Sequence, residues 1–154
     1  MSRSRFPSPR MRRLVAVSVA LALAACAGQT PVRTSSGVQV PPPCNAALCN
    51  ITQNTWQYHI DPRHCQGTCV MDNKSVFVAG HCGSLANAVA FCQTLMGRAD
   101  CLATQQPGTR VAYTATLAAT VGTNRNNVCN NTDRGTVIYD TGTGQVVTQF
   151  PGDP

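Results

Sequence analysis

The sequence predicts an α+β domain in which helical segments pack on a C-terminal antiparallel sheet and disulfides staple the whole. Three observations carry this expectation. Leu85, Ala88, Val89, Cys92, Leu95 and Met96 recur at the spacing of one helical face. From Thr109 the period changes to two, with Val111, Tyr113, Ala115 and Leu117 on one side and Thr or Ala on the other, as in a half-buried strand. Beyond residue 43 there are eight cysteines, an even number that in an exported domain implies four bridges.

The chain opens with an arginine-rich stretch, residues 1–13, and a twelve-residue apolar run from Leu14 to Ala25, too short for a bilayer of about 30 Å. That is the layout of a secretory signal peptide, residues 1–25. Leu23-Ala24-Ala25-Cys26 resembles a bacterial lipobox, in which cleavage precedes a cysteine that then receives lipid. Each buried acyl methylene contributes about 0.8 kcal/mol to anchoring. Cys26 is therefore the expected lipidation site, and Ala27 after it points to the outer membrane, facing periplasm or surface, of a two-membrane cell. An ordinary signal with an incidental cysteine is the rival reading, and it also exports the chain. Residues 26–43, rich in Thr, Ser, Pro, Val and Gln and ending Pro41-Pro42-Pro43, read as a semi-extended tether. The folded, disulfide-rich domain is residues 44–154.

Within it, Cys44 to His64 has mixed propensities, and Pro62 argues against a long helix. Ser84 is placed to cap the helix over 85–96 and Gly97 to stop it. After the strand from Thr109, the asparagine-rich run Thr123 to Arg134 reads as a polar loop in which Asn124, Arg125, Asn126 and Asn127 make a solvated turn, preferred over the alternative that they approach a polar substrate. A terminal hairpin follows: Thr136–Tyr139, a turn through Asp140 to Gly144, and Gln145 to Phe150, ended by Pro151, which has no donor. Trp56 reads as core and His81 as structural.

Composition removes several functions. There is no glutamate among 154 residues, which excludes the His-Glu-x-x-His zinc-protease helix. The formal charge of +6 shrinks to about +1 without the five arginines that precede the apolar run, so bulk charge says little about anionic partners. Cys44, Cys49, Cys65, Cys69, Cys82, Cys92, Cys101 and Cys129 are expected as disulfides, their pairing open among 105 connectivities. His64-Cys65, Cys69 and His81-Cys82 would also suit zinc; bridges that use every thiol are preferred, and no metal or other cofactor is expected.

Chemistry concentrates in Tyr58-His59-Ile60-Asp61-Pro62-Arg63-His64, two imidazoles and a guanidinium. Such a group suits proton movement around a phosphodiester, since a histidine with an ordinary pKa of about 6.5 serves as base or acid near neutrality. A pair of surface histidines is the plain alternative.

His59-x-x-x-Arg63-His64, then Ser75-Val76-Phe77, the helix over 85–96, Val121-Gly122-Thr123, and the hairpin from Gly135 through Thr143-Gly144 to Thr148, Phe150 and Pro151, resembles the C-terminal ribonuclease domains of bacterial contact-dependent and polymorphic toxins. These comprise the RNase A-like and related barnase-, EndoU- and colicin-like families. The likeness covers most of residues 56–154. It implies a metal-independent endoribonuclease, a hydrolase that binds RNA and cleaves it through a 2′,3′-cyclic phosphate. His59 and His64 would be acid and base, and Thr148 a hydroxyl donor to the transition state. Arg63 and Lys74 would bind phosphate and Phe150 would stack. An immunity or inhibitor protein is the implied partner besides RNA and the membrane reached through the N-terminal lipid. Two features depart from the pattern: Phe150 stands where a tyrosine hydroxyl is common, and a lipoprotein signal replaces the long delivery chain. The alternative function is a non-catalytic envelope lipoprotein acting as a binding module.

Overall fold

The structure, a computed structural model, describes residues 40–154. The expected signal peptide, Cys26 and the tether up to residue 39 lie outside the described residues. The described chain is α+β, with most helical segments ahead of the sheet strands and four disulfides.

Thr52 accepts a hydrogen bond from the Thr55 amide and so starts the short α1 (Gln53–Thr55), which continues directly as a π-helix, Trp56–Cys65, with Pro62 inside it. The expected break at Pro62 is thus corrected. The wide i→i+5 turn tolerates a ring that an i→i+4 turn would press onto the preceding carbonyl. Trp56 and Ile60 bury on the core side. α2 (Cys69–Asp72) is capped by Thr68 and ends at Asn73 in the left-handed conformation. After β1 (Val76–Phe77), α3 (Leu85–Met96) begins where Ser84 accepts from the Asn87 amide and stops at Gly97. Its buried residues are Ala88, Phe91, Cys92, Leu95 and Met96. Phe91 was absent from the expected face, while Leu85 and Val89 are only half-buried.

Four antiparallel strands form the main sheet in the order β2-β3-β6-β7: β2 (Leu102–Gln105), β3 (Arg110–Thr116), β6 (Arg134–Asp140) and β7 (Gln145–Pro151). β2 was not anticipated. β3, expected half-buried, is buried on both faces along Val111–Ala115 because it is central: Thr104 and Ile138 flank small Ala112 in register. Much of the expected polar loop is strand: β4 (Gly122–Asn124) and β5 (Asn130–Thr132) join β1 in a second sheet, ordered β1-β4-β5.

The core gathers Ile51, Trp56, Ile60, Phe77, α3 and the inner faces of β3, β6 and β7. Each fully buried large apolar side chain contributes about 1.5–3 kcal/mol. Cys49–Cys92 lies inside this cluster, and the Cys44–Cys101 and Cys65–Cys82 bridges pack against it. Cys65 and Cys82 bond each other, so neither offers a thiolate to a metal.

α3 rests on Gly135 of β6. A Cβ there would sit 2.6 Å from Phe91 Cζ and 3.0 Å from Leu95 Cδ1. Gly135→Ala is therefore expected to destabilise the oxidised domain by about 1–3 kcal/mol through overpacking, measured by denaturant unfolding.

Candidate functional site

Four pieces of chain meet around a cleft of about 190 Å³. The last turn of the π-helix brings Arg63 and His64, and the segment before β1 brings Lys74 and Ser75. The turn Arg125–Asn127, between β4 and β5, brings Arg125 and Asn126, and β7 brings Thr148 and Phe150, with Pro154 at the edge.

Ser75 is the junction. It is buried; its carbonyl lies 2.9 Å from His64 Nδ1, and its hydroxyl accepts from the Arg125 amide at 3.0 Å. A carbonyl only accepts, so Nδ1 carries the proton and Nε2 of the neutral ring holds a free lone pair. Phe150 packs its ring against His64, centroids 5.5 Å apart. Lys74 Nζ donates to the Pro62 carbonyl at 3.2 Å, leaving further N–H groups of its ammonium for a ligand.

Burial holds the His64 imidazole below its ordinary pKa of 6.5; the bond to Ser75 opposes this, and the charges of Arg63, Lys74 and Arg125 reinforce it. The ring is thereby held in its neutral form at neutral pH. Among the described residues lining the cleft three are cations and none is acidic, so an anion is the ligand the field favours.

Thr148 supplies the most informative atom. Its Oγ1 is buried and meets no hydrogen-bond partner among the described residues. A buried hydroxyl without a partner is destabilising by about 1–3 kcal/mol, and most such groups in folded proteins are paired.

Of the residues expected from sequence, His64, Arg63, Lys74, Thr148 and Phe150 all line this cleft, whereas His59 does not. His59 is exposed, one i→i+5 turn back along the π-helix, and the expected pair of imidazoles is not assembled among the lining residues. Ser75, Arg125 and Asn126 were missed. Arg125 and Asn126 sit in the run read as a solvated turn, and only the β4–β5 pairing turns that run toward His64. His81 lies away from the cleft, edge-on to Phe77 and Phe91, consistent with a packing role.

A second groove, about 330 Å³, runs past Val70, Val76, Phe77, Val78 and the Cys69–Cys129 bridge. None of its lining side chains titrates.

Scans of the chain against protein-family models, curated proteins and solved structures return no match.

Two outcomes follow. The His64 ring protons, titrated by NMR, should show a midpoint below 6.5, rising toward it in Lys74→Met or Arg125→Gln. Because the unfolded chain then binds the proton more readily, His64 adds stability as pH rises through the window between its folded value and 6.5, and loses it on acidification. Thr148→Val, which removes an unpaired hydroxyl at nearly constant volume, should leave the melting temperature unchanged or raise it, unlike the usual loss for a buried threonine.

Proposed function

We propose that residues 44–154 are a metal-independent endoribonuclease-like domain that cleaves RNA by attack of the 2′-hydroxyl, leaving a 2′,3′-cyclic phosphate. The observation that supports this reading is the convergence of a neutral imidazole, three cations and an unpaired hydroxyl on one cleft.

In this reading His64 Nε2 accepts the 2′-hydroxyl proton as the 2′-oxygen bonds to phosphorus. Arg63 and Arg125 neutralise the non-bridging oxygens, and the Thr148 hydroxyl donates to the oxygen whose charge grows in the transition state. As the bond from phosphorus to the 5′-oxygen breaks, the Lys74 ammonium supplies the proton that oxygen needs. His59 has no part in this scheme. Phe150 cannot donate a hydroxyl; held against His64, it offers a face on which a base can stack. The resemblance to toxin ribonuclease domains supports the reaction class, but the pair of histidines it implies is replaced in this scheme by His64 and Lys74. The lipobox at Cys26 adds an exported, lipid-anchored setting in the envelope.

The test is to incubate the oxidised, signal-free domain with RNA in EDTA. The parent is expected to cleave and to yield 2′,3′-cyclic ends. His64→Ala should abolish cleavage, Thr148→Val should lower kcat about a hundredfold, and His59→Ala should stay near parent. The rate should rise with pH along an acid limb set by His64, with its midpoint below 6.5. Loss of activity in EDTA would overturn the metal-independent scheme. Absence of cleavage by the parent would favour the non-catalytic binding module.

A further inference from the structure

Resting on that reading, we infer that the Cys69–Cys129 disulfide is the positioning element for Arg125, so that the cleft is complete only in the oxidised chain. Among the four bridges described, this one alone lies outside the main core cluster. It joins two short pieces of chain, α2 and the second residue after the Arg125–Asn127 turn.

The turn needs such a restraint. Val128 and Cys129 both stand in the left-handed region, with φ of 50° and 58°. That conformation is strained for any residue bearing a Cβ, and most of all for a β-branched one. Val128 is also 87% exposed, so no burial of its side chain offsets the strain. Hydrogen bonds hold the turn mainly from within, the Asn126 amide to Asn124 Oδ1 and the Cys129 amide to the Asn124 carbonyl, both at 2.9 Å; toward the rest of the domain it has the Arg125 amide to Ser75 Oγ and Asn126 Nδ2 to the Asp153 carbonyl at 3.4 Å. The covalent link to Cys69, itself 5% exposed, opposes relaxation of the strained pair.

Reduction removes that restraint by ordinary exchange. A thiolate of an external dithiol attacks the half-exposed Cys129 sulfur, and the S–S bond breaks. The electron pair leaves on Cys69, which takes a proton. The second thiol of the dithiol then displaces Cys129, and the reductant ends as its own disulfide. Arg125 and Asn126 are then released from the cleft wall. In a thiol-reducing compartment the domain would therefore hold phosphate poorly, and closing the bridge after export would complete the cleft.

The experiment compares the oxidised parent, Cys69→Ala/Cys129→Ala, Arg125→Gln and the triple variant. It reads kcat, KM and the salt dependence of KM on RNA, together with affinity for inorganic phosphate and thermal unfolding. Loss of one charge-assisted contact corresponds to about a tenfold rise in KM or more. The double cysteine variant should show that rise with kcat little changed, a salt slope shallower by about one phosphate contact, and phosphate affinity reduced to match. Adding Arg125→Gln should then cost little more, because both changes remove one contact. A double variant with the parent's KM and phosphate affinity, or effects that multiply in the triple variant, would overturn the inference.

Should the double cysteine variant fail to fold, Thr68→Ala decides. It frays α2 beneath Cys69 with every bridge closed: a raised KM supports the positioning role, and an unchanged one sinks it. A parent that cleaves no RNA, yet binds phosphate more tightly than the cysteine variant, removes the ribonuclease reading and keeps this one.

Discussion

One buried serine ties the site together. Through its carbonyl Ser75 fixes which nitrogen of His64 bears the proton, and through its hydroxyl it takes the amide of Arg125. The base and the far cationic wall are therefore referred to the same residue, although His64 and Arg125 come from a helix end and a loop sixty-one positions apart in the chain. Buried hydrogen bonds of this kind act in a low dielectric, where they are strong when satisfied and where an isolated ring is desolvated. His64 is neutral for that reason, and the neighbouring cations act in the same direction.

The places where local rules are broken lie around this junction. Pro62 sits inside a helix, Thr148 buries a hydroxyl without a partner, and Val128 and Cys129 take up a left-handed backbone. Elsewhere serine and threonine caps open α1, α2 and α3, and Gly135 lies where α3 presses on the sheet. The core has an exception of its own: fully buried Gln149 donates to the Ala88 carbonyl while its Oε1 meets no partner among the described residues.

Anchoring differs between the two halves of the cleft. Thr148 and Phe150 ride on β7, paired with β6 on either side of a bulge at Val147, and His64 is pinned by the neighbouring Cys65–Cys82 bridge. Arg125 and Asn126 hang on a turn between two three-residue strands. The firmly held side carries the imidazole, the hydroxyl, Arg63 and Lys74; the loosely held side carries Arg125 and Asn126.

Periodicity alone was enough for α3, for the strand after Thr109, for the terminal hairpin and for the α+β class, because each of these buries one face and burial imposes a repeat on the residues themselves. The cysteine count likewise implied bridging; residue chemistry singled out His64 and Arg63, and the family resemblance pointed to Lys74 and Thr148. Pairing was another matter. Nothing local distinguishes one of 105 cysteine connectivities from another, nor tells a polar run that stays in water from one that folds as β4 and β5 against β1. The exclusion of His59 and the inclusion of Arg125 were likewise decided only by tertiary structure. A side chain's distance from a site depends on which segments the core and the bridges bring together, and segments remote in sequence carry no record in their own residues of the neighbour they will meet.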